Sequence, residues 1–568
     1  MSSSLSPLQK YRLQYLPTIP DALKNMKMLK AIEAKTGLEL KKHPSELEIS
    51  FTTIADFFPL SHRAPFLKFT KGKQALTKPL RVGVVLSGGQ AAGGHNVISG
   101  IFDALKSLNP ASELIGFLNG PSGIIKDQTT EITAPLIEGY RNQGGFDLIG
   151  SGRTKIETSE QLKTALEVVL KHKLDGLIII GGDDSNTNAA LLAEYFLARQ
   201  CETSVVGVPK TIDGDLKNKD IEISFGFDSA SKNYSETIGS LMRDVFSAKK
   251  YYCFIKLMGR SASHITLECA LQTHPNLTFI SEEVAAQKSS LKQLVGEVCN
   301  LICQRASNGK DYGVVLIPEG LVEFIPEVKC LIVELNGLLA ESTPHYAALE
   351  NLKDDSKKIE YIEKLLSKDS VSCFRSLPKD NKLQLLIGRD SHGNVQVSKI
   401  ETERMMIEMV KEELYKRTKK GDYQGTFSPL SHFCGYEGRA CLPSNFDCQY
   451  CYALGMTAVA LIKSEATGYI CCLSNLTKRV EDWIPGGIPL TSMMAMETRH
   501  GTAKPVITKA LVDLNGKPFE VFSQQRARWA QNDDYVNPGP TQFFGPEEIT
   551  DALTLTLKLE AIEKQDKT

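Results

Sequence analysis

The run RVGVVLSGGQAAGGHN, residues 81–96, sets the architecture. Its apolar, β-branched first part reads as a short strand, and the glycines that close it lead straight into a helical pattern. The same grammar returns in LDGLIIIGGDD from Leu174 and in SVVGVPK from Ser204. Strand, glycine-rich turn and helix in repetition predict a parallel sheet covered on both faces. YYCFIKLMGR from Tyr251 and YGVVLIPEG from Tyr312 carry the pattern into a second unit. The expected fold is α/β, two Rossmann-like lobes with parallel sheets, plus a helical insertion and an N-terminal extension.

Residues 1–80 read as that extension, 81–250 as the first lobe, and 251–321 with 381–545 as the second, the chain being free to recross between them. Residues 322–380, rich in Leu, Glu, Lys and Ser at helical spacing, are the insertion, and 546–568 read as a C-terminal helix with Pro546 at its start. At 568 residues the chain exceeds one compact core. Lys+Arg of 66 against Asp+Glu of 67 leaves a net charge of -1, which removes a global electrostatic case for binding nucleic acid or an anionic membrane. No run of about 18 apolar residues is present to span a bilayer. The 13 scattered cysteines, an odd number without framework spacing, point to a reducing, cytoplasmic setting. Cys448 and Cys451 form a Cys-x-x-Cys, but no second close pair accompanies it, and the segment reads as a loop running into an apolar helix rather than a zinc clip.

Ligands of open parallel sheets bind beyond the carboxyl ends of the strands, so the loops there are the candidates for chemistry. In SGGQAAGGHN, from Ser87, small residues let backbone N–H groups approach an anion at a helix N-terminus. In GGDDS, the pair Asp183 and Asp184 at a buried strand end calls for solvation, a partner, or a hard cation held together with phosphate oxygens. The plainer alternative is a solvated turn with an Asp capping a helix that starts at Asn186. PKTIDGD, residues 209–215, offers a cation, a hydroxyl and two more carboxylates in one turn. A carboxylate there suits a general base for a hydroxyl acceptor, with the lysine stabilising charge on a donor.

These loops, taken in order with LMGRSASH at 257–264, PEG at 318–320 and GYEGR at 435–439, resemble the phosphofructokinase family. They are most similar to its long, pyrophosphate-dependent branch, and the likeness runs from about Arg81 into the C-terminal region. The resemblance implies a phosphofructokinase-like fold and transfer of a phosphoryl group from pyrophosphate to the 1-hydroxyl of fructose 6-phosphate, with Mg²⁺. It implies that Gly88, Gly89, Arg153, Asp184 and Lys210 serve the donor and that Asp183 holds the metal. Asp213 would be the base, with Arg260 and Lys210 catalytic beside it, and Thr211 and Asp215 in support. Met258, Gly259, Arg260 and Glu319 would meet the sugar, and Tyr436 and Arg439 its 6-phosphate. The resemblance further implies a homo-oligomer of two or more chains; Lys250, Tyr251 or Lys256 are the residues considered for a subunit contact.

Three other readings compete. An ATP-dependent enzyme of the same fold conflicts with Asp184 and Lys210, where ATP users of the family tend to carry Gly. A non-catalytic regulatory subunit would have lost loop residues that are present here. A lipid or NAD kinase shares a GGD-type loop but lacks the other motifs.

Overall fold

The computed structural model describes residues 5–34, 53–73, 78–340, 343–387, 395–499, 502–541, 543 and 545–546. The C-terminal helix expected over 546–568 lies outside the described residues from 547 onward. The strands are β1 (Leu29–Ala34), β2 (Phe66–Lys71), β3 (Arg81–Leu86), β4 (Glu113–Phe117), β5 (Thr129–Glu131), β6 (Gly176–Gly181), β7 (Ser204–Thr211) and β8 (Phe225–Gly226), followed by β9 (Tyr252–Leu257), β10 (Leu277–Thr278), β11 (Gly313–Pro318), β12 (Pro429–Cys434), β13 (Tyr469–Ser474), β14 (Ile484–Pro489), β15 (Met494–Arg499) and β16 (Thr502–Ile507).

Among the described residues the larger sheet runs β1-β2-β14-β13-β7-β6-β3-β4-β5, with β8 beside the end of β7. Its centre, from β13 to β4, is parallel. Val82, Val84, Val85 and Leu86 of β3 are fully buried, as a strand covered by helices on both faces must be. The chain passes from β3 to β4 on one side and returns to β6 on the other. The connections therefore diverge at β3 and β6, and a crevice opens at their carboxyl ends. The smaller sheet, β10-β11-β9-β12, is parallel throughout.

Residues 469–489, within the range 381–545 given to the second lobe, supply β13 and β14, which extend the larger sheet. A strand pattern reports burial, not which sheet edge accepts it, and β13 finds its partner in β7, far away along the chain. The described residues before Arg81 join the body: β2 pairs with β14, and the buried Arg12 guanidinium donates to the Pro443 carbonyl at 2.7 Å. Helices between 321 and 387 share one apolar cluster with Phe254, Val315 and Ile317 of the smaller sheet, through Leu331, Leu335 and Phe374.

Cys448 and Cys451 lie within the helix Asn445–Lys463 rather than in a loop before it, because Ser444 caps that helix by accepting from the Asp447 N–H at 3.2 Å. Both thiols are buried, and Cys451 packs under the first glycine-rich loop, where a Cβ on Gly93 would lie 2.3 Å from its sulfur. This helix crosses Gly94–Leu108 at close range. A Cβ on Gly100 would lie 2.1 Å from the Tyr452 carbonyl oxygen, and one on Gly455 2.2 Å from that of Val97. Backbone cannot yield as a side chain does, so Gly100→Ala is expected to cost about 1–3 kcal/mol by overpacking. The measurement is the urea midpoint; an unmoved midpoint would show that the two helices separate freely.

Candidate active site

β3, β6 and β7 end level with one another, Leu86 opposite Ile180 and Gly181 opposite Pro209, so their loops meet at one edge. The Ser87 N–H donates to the Ile180 carbonyl and the Gly88 N–H to that of Gly152, each at 2.8 Å, which brings the turn bearing Arg153 alongside. Gly88 takes φ +87°, a left-handed conformation that a side chain would strain. A Cβ on Gly88 would lie 3.3 Å from Lys210 Nζ. One on Gly89 would lie 3.4 Å from Arg439 Nη1 and 3.8 Å from Arg153 Nη2. Three cations thus converge on a stretch of chain that has no side chains, an arrangement suited to a polyanion.

Lys210 and Thr211 are the last residues of β7, paired with Phe225 and Gly226 of β8, so the strand runs one residue past SVVGVPK and takes Thr211 out of the turn. Strand geometry sends the Lys210 side chain inward. Burial draws its ammonium down to about 8 against the opposing pull of Asp213 and Asp183.

Gly182 is the N-cap of the helix Asp183–Leu197, which begins three residues before Asn186. Asp183 and Asp184 therefore both sit in its first turn, where the helix dipole favours carboxylates. Neighbours on a helix point about 100° apart. The pair accordingly splits: Asp184, more than half exposed, lies 3.4 Å from Lys155 Nζ, while Asp183 faces Lys509 at the same distance on the inner side.

The turn after β7 is held by its own side chains. Thr211 Oγ1 accepts from the Asp213 N–H at 3.0 Å and donates to Asp215 Oδ1 at 3.2 Å. Burial, and then the charge of Glu319, push the Asp213 carboxyl up, with Lys509 and Arg260 acting against them. Burial and Asp213 push Asp215 up to about 6.

The smaller sheet brings its groups to the same crevice. Leu257 is opposite both Pro318 and Cys434, so the loops after β9, β11 and β12 emerge together. Glu319 accepts from the Gly259 N–H at 3.0 Å, and the Met258 N–H donates to the Cys434 carbonyl at 3.0 Å. A Cβ on Gly320 would lie 1.9 Å from the Arg260 carbonyl oxygen, so only glycine lets these two loops touch. Arg260 is exposed, and its charge acts on both Asp213 and Glu319. Tyr436 is 65% exposed, with the Arg439 guanidinium 4.7 Å from its ring centroid. Arg439 thus stands between the two groups of loops, next to Gly89 as well as to Tyr436. Lys256 is buried within the chain: it lies 3.5 Å from Glu403 and donates to the Ile400 carbonyl at 3.1 Å.

Lys509 was missed by the sequence reading. It lies in VITKALVD, which carries no motif, yet its Nζ sits 3.4 Å from Asp183 Oδ2, 3.9 Å from Asp215 Oδ2 and 2.8 Å from Ser261 Oγ. Only the path of the chain after β16 brings it there.

Fold and site define a two-lobed α/β enzyme that can hold a polyanion against a buried carboxylate. Comparison with known proteins narrows that class. The phosphofructokinase family pattern matches residues 81–462. A pyrophosphate–fructose 6-phosphate 1-phosphotransferase from Treponema pallidum is 50% identical over 573 residues, covering 98% of this chain and 97% of the relative. Subunit beta 2 of the enzyme of that name from Arabidopsis thaliana is 49% identical over 560 residues, 99% of this chain and 95% of the relative. The crystal structure of a pyrophosphate-dependent phosphofructokinase from Nitrosospira multiformis superposes with a TM-score of 0.52 over 83% of this chain and 95% of that one. At 16% identity this last likeness bears on the fold alone. The chain belongs to the phosphofructokinase family.

Proposed function

We propose that this enzyme transfers a phosphoryl group, reversibly, from pyrophosphate to the 1-hydroxyl of fructose 6-phosphate, giving fructose 1,6-bisphosphate and phosphate. The observation that carries the choice of donor is Lys210, whose ammonium reaches the Gly88 backbone where the family's ATP users tend to have no side chain. Relatives at about half identity over nearly the whole chain bear names that state this reaction.

In this reading Gly88, Gly89, Arg153 and Lys210 hold pyrophosphate. Met258, Gly259 and Glu319 orient the sugar, and Tyr436 and Arg439 hold its 6-phosphate. Asp213 takes the proton of the 1-hydroxyl as that oxygen bonds to phosphorus. The bond from phosphorus to the bridging oxygen breaks, and the leaving phosphate keeps the electron pair. Arg260 faces the charge that develops, and Thr211 and Asp215 keep Asp213 in place.

Among the described residues no three His, Cys, Asp or Glu groups form a metal cage. Mg²⁺ suits the site nonetheless, because it is commonly bound by one or two carboxylates together with substrate phosphates and water. Asp183, with Asp215 close by, would hold it, and when bound it would neutralise phosphate charge. Among the described residues no helix is long and apolar enough to cross a membrane. The unpaired cysteines support a cytoplasmic location, and the plant relative's name as a subunit supports an assembly of more than one chain.

A coupled assay with pyrophosphate and ATP side by side tests the proposal. Pyrophosphate is expected to give a kcat/KM about 100-fold or more above ATP, since a like charge against a nucleotide phosphate costs several kcal/mol. Equal use of ATP would overturn the donor assignment, and a folded protein inactive with both would be a non-catalytic subunit.

A further inference from the structure

Residues 507–512 run from β16 across the crevice as a strap. The Ile507 N–H donates to Thr187 Oγ1 at 3.2 Å, on the helix that begins with Asp183. The Ala510 N–H donates to the Asp215 carbonyl at 2.7 Å, and the Ala510 carbonyl accepts from His264 Nε2 at 3.0 Å. The Val512 N–H donates to Glu282 Oε1 at 3.0 Å, which also accepts from the Ser263 N–H at 3.0 Å. The strap is therefore pinned to both lobes, and every one of its own contacts in that set is made by backbone. The Lys509 side chain is not needed to hold it.

That side chain instead reaches the seam of the site. Its ammonium donates to Ser261 Oγ at 2.8 Å, next to Arg260 on the acceptor side. On the donor side it stands 3.4 Å from Asp183 and 3.9 Å from Asp215, with a third of the side chain open to the cleft. Taking the reaction proposed above as its basis, we propose that Lys509 is a further catalytic cation. It occupies the Asp183–Asp215 carboxylate pair while the site is free, and passes to the oxygens of the transferring phosphoryl group when metal and pyrophosphate enter.

The physical reason is competition for the same oxygens. An ammonium and a hard dication repel one another, so a metal on Asp183 releases Lys509 within reach of the Asp213 side, where the acceptor oxygen approaches. Charge in phosphoryl transfer spreads over three equatorial oxygens and needs donors from more than one direction. No proton moves to or from Lys509; it supplies charge. The same competition disfavours metal entering alone and favours its entry together with pyrophosphate.

Two measurements on Lys509→Met and Lys509→Arg decide this. In the substrate-free enzyme, Mn²⁺ binding followed by electron paramagnetic resonance is expected to tighten about tenfold in Lys509→Met, because the carboxylates lose a resident competitor. In turnover with pyrophosphate, kcat is expected to fall about 100-fold, the loss typical of one missing donor to developing charge, with KM for fructose 6-phosphate little changed. Lys509→Arg should recover part of that rate. Thr187→Val, which cuts a strap contact and leaves the ammonium, should keep most of the rate. Unchanged Mn²⁺ affinity in Lys509→Met, a kcat within threefold of wild type, or an equal loss in Thr187→Val would overturn the proposal. If Lys509→Met fails to fold, Lys509→Gln, which also removes the charge, takes its place: tighter Mn²⁺ binding with a kcat about 100-fold lower upholds the proposal, and wild-type values of both overturn it. Wild-type turnover with pyrophosphate in the same assay tests the underlying function separately, and the Mn²⁺ arm does not depend on the donor.

Discussion

Asp213→Asn is expected to lower kcat about 10²–10⁴-fold, the range for loss of a general base, while KM for fructose 6-phosphate stays within a small factor. Burial holds the Asp213 carboxyl above its ordinary range, and Glu319 adds to the shift, so it binds a proton more readily than a solvated carboxylate. Its backbone is fixed independently of the side chain, by the N–H that donates to Thr211. The amide therefore preserves the turn and removes only the proton acceptor. The stability consequence has a definite sign. A carboxyl whose folded pKa is raised contributes stability that is full below its unfolded value and is lost as pH rises through the folded value. Asp213→Asn removes that loss, so at neutral pH the variant should melt no lower than wild type. Steady-state kinetics and thermal melting on one preparation give both readings. A rate above a tenth of wild type would end the assignment of Asp213 as base.

The second large effect concerns the donor. Asp184 sits in the first turn of its helix with its carboxylate toward Lys155, and on the proposed donor assignment the rest of a nucleotide would lie beside it. Its charge would meet a phosphate there, and like charges brought together cost several kcal/mol. Lys210 acts in the opposite sense, its buried ammonium pointing at Gly88. Asp184→Gly is therefore expected to gain ATP-dependent turnover and lose most of the pyrophosphate rate. Lys210→Gly should cut pyrophosphate-dependent kcat/KM by about 30-fold or more, because removing one partner from a buried charged group costs about 2–5 kcal/mol. On the proposed assignment both residues border the donor, so the double variant should depart from additivity. Values of kcat/KM for each donor across the two single variants and the double one check this. An Asp184→Gly enzyme that remains active with pyrophosphate yet still refuses ATP would show that selection lies elsewhere.

Local chemistry made much of this legible from the chain alone. Buried parallel strands must be apolar, turns that admit an anion must be small, and a strand end with two carboxylates must find them partners. Hence β3, β6 and β7, the loop at Gly88 and Gly89, and the groups Asp183, Lys210 and Asp213 could be picked out by residue type and position. What such patterns do not carry is which distant segments meet. Nothing in the run from Tyr469 says that it completes the larger sheet beside β7. Nothing in GYEGR says that Arg439 comes to rest against Gly89 as well as Tyr436. The divergence of Asp183 from Asp184 depended on where the helix starts, and that is set by Gly182 at the end of a buried strand. Lys509 is the clearest case, an ordinary lysine in an ordinary stretch until backbone bonds to both lobes carry it between Asp183, Asp215 and Ser261. Backbone preference and side-chain periodicity act over a few residues and so are written locally. Contacts through space depend on how whole lobes pack, and only the folded chain contains them.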